Sequence, residues 1–325
     1  MRGFLLKLLL FGGIAFTLFA LANAVAGRYN GEPAHYAAQF KEAFRPQFKE
    51  DGIILGSSHA THGIRPTLLD RTGTRFYNYA LNGTSPDYYL EWYSRVFRPN
   101  HPVPRACILH VDWFISNKGW LFREFEHDSQ YLPARVFRDL LFGDNDLRAS
   151  DLLMNRYPVL KHRKNLKSTI ALRKGDERFV AEGYDRGFVP YRIPYAPGNF
   201  HLPQRIRMTT ISRKDSADLY ALVDLVRKDG TQVILLMAPE FGIDSLSYTT
   251  MSSIRCFERL AKAEGIPFLN YNTDHRSWLN DRVDHFSDWG HLNDEGSKAF
   301  STMLANDIRP LLHDLPTAVN GRAVQ

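Results

Sequence analysis

Short apolar runs recur between segments of helical periodicity, and they limit what this chain can become more than any other feature. Ile53-Ile54-Leu55 is the first. Ala106-Cys107-Ile108-Leu109-His110-Val111 and Thr231-Gln232-Val233-Ile234-Leu235-Leu236-Met237-Ala238 are longer examples. Runs this short and this continuous suit strands buried on both faces, as parallel sheets require. Residues 75–81 and 266–271 complete a set of five, and Pro267 places the last at a sheet edge. Helical pieces lie between them. One runs over 86–97, with Ser85 as cap and Pro86 at the first position; others cover 217–228 and 248–264, the latter with Gly265 past its end. The last follows Asn293, with Asp294 and Glu295 at its positive end and a stripe of Phe300, Met303, Leu304, Ile308 and Leu311. Strands alternating with helices predict a three-layer α/β/α fold of flavodoxin-like type, built on a five-stranded parallel sheet.

The pattern is interrupted once. Residues 115–210 are rich in Arg, Lys, Tyr and Pro and weak in periodicity, apart from a helix-like piece over 133–142. So long a structureless loop is improbable, and the stretch reads as an insertion over one face of the sheet. It contains the run Lys161-His162-Arg163-Lys164-Asn165-Leu166-Lys167, which is either a solvated face or a site for an anionic surface or polymer. The whole chain of 325 residues carries a net charge of +6. That balance suits anionic surroundings, but no nucleic-acid motif accompanies it and no nucleic-acid partner is expected. Cys107 and Cys256 fall in a strand and a helix without metal-ligand spacing, and read as small buried hydrophobes.

Residues 1–26 give the chain an address. Arg2 and Lys7 precede an almost uncharged apolar run from Leu8 to Ala26, long enough to cross a bilayer and oriented for export of the remainder. Ala20-Leu21-Ala22-Asn23-Ala24 resembles a signal-peptidase site, so the segment is either a retained inner-membrane anchor or a cleaved leader. Residues 27–50 form a membrane-proximal lead-in, and 51–325 the α/β domain with its insertion.

Polar residues fall just after the strands: Ser58 after the first, Asn82-Gly83 after the second, Asp112 after the third, and Asp288 with His291 after the fifth. The carboxyl ends of parallel strands share one edge, so these distant residues can converge. A serine hydroxyl needs an imidazole to take its proton and a carboxylate to hold that imidazole. Asp288-Trp289-Gly290-His291 offers both from one short turn, which makes Ser58, His291 and Asp288 a candidate nucleophile, base and orienting acid.

Read as blocks, Gly56-Ser57-Ser58, Gly83 and Asp288-x-x-His291 resemble the motifs of the SGNH/GDSL hydrolase superfamily, over about 51–112 and 213–312. The resemblance implies Ser58 as nucleophile and Gly83 as an oxyanion donor through its N–H. The family's third block, Gly-x-Asn-Asp, is replaced by Val111-Asp112-Trp113-Phe114. Its asparagine donor is missing, and Asn82 is a candidate substitute. Gly83, Asn82 and Asp112 are therefore the candidate oxyanion or substrate-binding residues. Gly-Ser-Ser, the Trp-Phe pair and the N-terminal segment are most similar to the membrane-anchored proteins of D-alanylation and polysaccharide O-acetylation. That implies an extracytoplasmic serine-dependent acyl-ester hydrolase or O-acyltransferase acting on an envelope glycan or related polymer, partnered by a membrane-bound O-acyltransferase. A catalytically weak or inactive assembly or glycan-binding subunit of the same fold is the alternative. No cofactor or metal is expected, since no acidic or cysteine cluster accompanies His59 and His62 in the sequence; these read as pocket-lining or exposed. Trp92, Tyr93, Trp113 and Trp120 read as core aromatics, with a sugar-stacking platform as the other use.

Overall fold

The computed structural model describes residues 2–28, 34–45, 50–112, 123–143, 147–163, 183–191, 211–242 and 252–313. Two compact units divide the chain, Met1–Lys41 with Phe125–Glu182 and Glu42–Glu124 with Gly183–Gln325.

The second unit is built on five parallel strands, β1 (Gly52–Leu55), β2 (Phe76–Asn78), β3 (Ala106–His110), β4 (Gln232–Met237) and β5 (Phe268–Asn270). They lie in the order β2-β1-β3-β4-β5 with helices on both sides, the expected three-layer α/β architecture. β5 is at an edge, as Pro267 requires. Strand residues alternate between faces. Ile54, Ile108, Ile234 and Leu236 pack with Phe300, Leu304 and Ile308 of the helix Asp294–His313. The helix Arg213–Lys228, which packs on β4, buries Leu219, Leu222, Val223 and Val226, and is capped by the Ser212 hydroxyl accepting from the Asp215 N–H. Asn293 caps the final helix by accepting from the Gly296 N–H at 2.9 Å.

Several elements differ from expectation in length. β2 ends at Asn78, although the N–H groups of Tyr79 and Leu81 still donate to the carbonyls of Ile54 and Gly56, and the Asn78 side chain accepts from the Ala80 N–H. The helix Pro86–Trp92 passes into a wider π turn over Tyr93–Phe97. Residues 183–191 belong with the sheet and not with the excursion: the Asn78 N–H donates to Arg186 and the Val189 N–H to Thr61. Both cysteines are free and buried.

The first unit holds the helix Arg2–Arg28, of which Gly3–Gly27 is long and apolar enough to cross a membrane and is largely exposed. At its far end the Phe19 ring meets Tyr157 edge-on at 5.2 Å, and Asn23 accepts from the Val159 N–H. Residues 125–163 include the helices Ala134–Phe142, close to expectation, and Ala149–Arg156. Arg156 donates to the carbonyls of Ser129 and Leu132 beneath the Phe137 ring, and Lys161 donates to the His127 carbonyl. Arg163 likewise donates to the Leu160 carbonyl, so basic side chains of this stretch hold local backbone. Lys164, Lys167, Arg173, Lys174 and Arg178 lie outside the described residues.

Candidate active site

The strand order reverses at β1, and the carboxyl end of such a strand is where an open α/β sheet binds ligands. Gly56 makes the turn there with φ +147°, and a Cβ on it would sit 2.6 Å from the Cβ of His110. Only glycine lets the backbone pass β3 this closely. Ser57 follows in extended conformation, and the helix Ser58–Gly63 begins at once. The Ser57 carbonyl accepts from the N–H groups of Ala60 and Thr61, while the Ser58 N–H, at the first helical position, has no acceptor within the helix. Tyr89 and Thr84 fasten the turn from behind: both hydroxyls donate to the Gly56 carbonyl, at 2.8 and 3.0 Å.

Ser58 Oγ lies 2.8 Å from His291 Nε2. His291 Nδ1 lies 2.9 Å from both oxygens of Asp288. Facing a carboxylate, Nδ1 carries the ring proton and leaves the Nε2 lone pair for the serine hydroxyl. The turn that carries both is closed on itself. Asp288 also accepts from the N–H groups of Gly290 and His291, each at 2.8 Å, and the Ser287 N–H donates to the His291 carbonyl. Burial pushes the Asp288 carboxyl up, but these donors outweigh it and hold it down at about 2. Burial lowers His291 below the ordinary histidine value although Asp288 pulls the other way. The result is a neutral base against an ionised carboxylate at neutral pH.

Behind the nucleophile lies a second, fully buried group. Asp112 accepts from the Ser57 hydroxyl, and its Oδ1 lies 2.8 Å from His59 Nδ1 and 3.5 Å from His110 Nδ1. Glu240, after β4, comes within 3.8 Å of the same His59 nitrogen. Burial opposes a charge on His59, yet Asp112, with help from Glu240 and Asp288, raises it to about 9. Burial instead lowers His110 to about 4, while the two histidines hold Asp112 well below the usual carboxylate range against its burial.

His59, His110 and Asp112 are close enough to share a metal ion, but the donor chemistry does not fit one. His110 Nε2 accepts from the Ala238 N–H at 3.2 Å, so the ring proton sits on Nδ1, the atom a metal would need. The Ser57 hydroxyl and His59 Nδ1 meet one carboxylate, with His110 Nδ1 nearby at 3.5 Å.

The structure therefore brings Ser58, Asp288 and His291 together. Gly83 lies in the turn after β2, where its carbonyl accepts from the Arg123 N–H. Asn82 Oδ1 is buried with no hydrogen-bond partner among the described residues. Asp112 is not placed to bind an oxyanion: it is ionised, acceptor-only and turned toward Ser57 and His59. A small cleft walled by Thr84, Pro86, Tyr89, Val111 and Leu219 reaches Ser57 and Asp112 rather than Ser58. Trp92 and Tyr93 are buried in the core; Trp113, Phe114 and Trp120 lie outside the described residues. His59 and His62 are both buried beside His291, with ring centroids 4.7 and 6.2 Å from its own, and the fold supplies the acidic neighbours of His59 that the local sequence lacks. Sequence reasoning missed Asn78, Tyr89, Tyr191 and Gly290. Tyr191 covers the His291 ring at 5.1 Å, and no local pattern marks it.

No family model matches this chain, and no curated protein matches it in sequence. Among solved structures it resembles a Bacteroides fragilis protein provisionally named an acylhydrolase. The two are 13% identical over 87% of this chain and 98% of that one, with a TM-score of 0.39. Similarity at that level carries no argument about activity, which rests on the site itself.

Proposed function

We propose that the protein is a serine-dependent acyl-ester hydrolase or O-acyltransferase of SGNH type. The observation that carries this reading is the continuous line from Ser58 Oγ through His291 to Asp288. Ser58 attacks the ester carbonyl as its proton passes to His291 Nε2, and Asp288 stabilises the imidazolium. The N–H groups of Ser58 and Gly83 receive the developing oxyanion. As the tetrahedral intermediate collapses, His291 returns the proton to the leaving alkoxide and the acyl group stays on Ser58. A water or an acceptor hydroxyl then repeats the sequence in reverse, giving hydrolysis or transfer.

The helix Arg2–Arg28, with Arg2 and Lys7 at its start, supports a site on the outer side of the cytoplasmic membrane. There the substrate class is an acylated envelope glycan or related polymer, and a membrane-bound O-acyltransferase is the fitting partner. One observation favours a second reading, a weakly active or inactive assembly subunit: Val111-Asp112-Trp113-Phe114 stands where the family's third block would supply its asparagine oxyanion donor. Labelling of the full chain with a fluorophosphonate decides between them. The enzyme reading expects stoichiometric labelling lost in Ser58→Ala; an unlabelled wild-type chain overturns it.

A further inference from the structure

His59 is the residue next to the nucleophile, yet the serine-hydrolase mechanism gives it no task. It is fully buried, and burying an imidazole next to a base is costly unless the neighbours justify it. Three contacts define its place. Nδ1 is 2.8 Å from Asp112 Oδ1, and Asp112 also holds the Ser57 hydroxyl, so the residues on either side of Ser58 are tied to one carboxylate. The ring stands edge-on to His291 with centroids 4.7 Å apart. On its far side, a Cβ added to Gly290 would sit 2.8 Å from His59 Nε2, so the Asp288–His291 turn closes directly on this ring.

We propose that His59, anchored by Asp112, is a positioning residue that seats the Gly290 turn against the nucleophile and keeps a cation beside the His291 ring. The proposal rests on the serine-hydrolase reading. A cation at this distance repels a second proton on His291, so the base stays neutral, and available, into mildly acidic solution. This agrees with the opposite displacements of the two rings, His59 upward and His291 downward. Among the described residues, other groups also face the pair. Asp288 faces His291 from its own turn, and His62 and the Tyr191 ring pack on it. His110, which burial keeps neutral, and Glu240 face His59 from the ends of β3 and β4.

The test is the pH dependence of fluorophosphonate labelling in the full chain held in detergent. His59→Asn keeps a donor for Asp112 but removes the cation and leaves the carboxylate uncompensated. Its acid limb should move to higher pH by about half a unit or more relative to wild type. Removing both charges, in His59→Asn with Asp112→Asn, should bring the limb back toward the wild-type position. A purely structural role lowers the rate at every pH and leaves the limb in place, and that result overturns the proposal. If the variants do not fold, imidazole nitrogen NMR of the wild-type chain decides: His59 doubly protonated at pH 7 with His291 neutral supports the proposal, and a neutral His59 overturns it. Failure of the wild-type chain to label would instead count against the hydrolase reading itself.

Discussion

The Asn78 side chain donates to the carbonyls of both Ala60 and Ile64, at 2.8 and 3.0 Å, so the end of β2 secures the helix that begins with Ser58. Asn78 is fully buried, and its Oδ1 accepts from the Ala80 N–H as well. One side chain thus closes the far end of the nucleophile helix and bends the chain toward Gly83.

Replacing Asn78 by Ala leaves two buried carbonyls without these donors. The loss is expected to cost about 2 to 4 kcal/mol of stability, readable in the midpoint of chemical denaturation. Slower fluorophosphonate labelling of the still-folded fraction should accompany it. An unchanged midpoint would show that water replaces the amide at no cost.

Ser58→Ala and His291→Ala should each abolish labelling and acyl-ester turnover while leaving circular dichroism and the unfolding transition close to wild type. Groups that act as one unit are not additive, so the double variant should be scarcely worse than either single one. Retained turnover in Ser58→Ala would remove Ser58 as the nucleophile.

Gly56→Ala and Gly290→Ala should separate folding from function. At Gly56 a methyl group meets the Cβ of His110 at a backbone angle that disfavours side chains, and a loss of about 3 kcal/mol or more is expected. At Gly290 it meets the His59 ring at 2.8 Å and Asp288 only at ordinary contact distance, so labelling should fall much further than stability. Combining Gly290→Ala with His59→Ala should restore room for the methyl group and be no worse than His59→Ala alone.

Two pH effects are expected, with opposite signs. His291 is displaced below the ordinary histidine value, so labelling should persist into more acidic solution than an unperturbed histidine would allow, while Asp288, held at about 2, stays ionised. His59 is displaced upward. The stability it contributes is fully present below its unfolded value of 6.5 and is lost as pH rises through about 9. Denaturation midpoints should therefore decline across that interval, by an amount of order 1 to 3 kcal/mol, and His59→Asn should flatten the decline.

The helix Arg2–Arg28 predicts that the protein sediments with membranes and resists carbonate extraction, with residues beyond 50 open to protease only from outside the cytoplasm. A soluble product beginning near Asn23 or Val25 would identify the segment as a cleaved leader.

The sequence announces β1, β3 and β4 because strands buried on both faces admit almost nothing but apolar residues. It offers Ser58, Asp288 and His291 as candidates because a serine nucleophile would have few choices of partner. Asp112 was legible as a polar residue at the end of β3, but not the direction of its side chain. That direction depends on β3 pairing with β1, which places Asp112 beside Ser57 and His59 from a remote part of the chain. The same holds for Gly290, whose small size matters only because His59 arrives opposite it. β2 ends before its apolar pattern does, and the Asn78 side chain that takes the Ala80 N–H just beyond it is a choice that hydropathy does not record.

Ser58 and His291 are 233 positions apart, and the sheet that positions the serine draws its strands from both sides of the long excursion. Contacts of such long range form late, after much of the chain has been brought together. If the chain crosses the membrane from its N-terminus, the nucleophile emerges long before its base. Under the proposed function, Ser58 then stays an ordinary hydroxyl throughout translocation, and its activation waits until the last turn and the helix Asp294–His313 have closed over β1. On the proposed reading, a product truncated before Asp288 carries Ser58 without its base and is chemically silent.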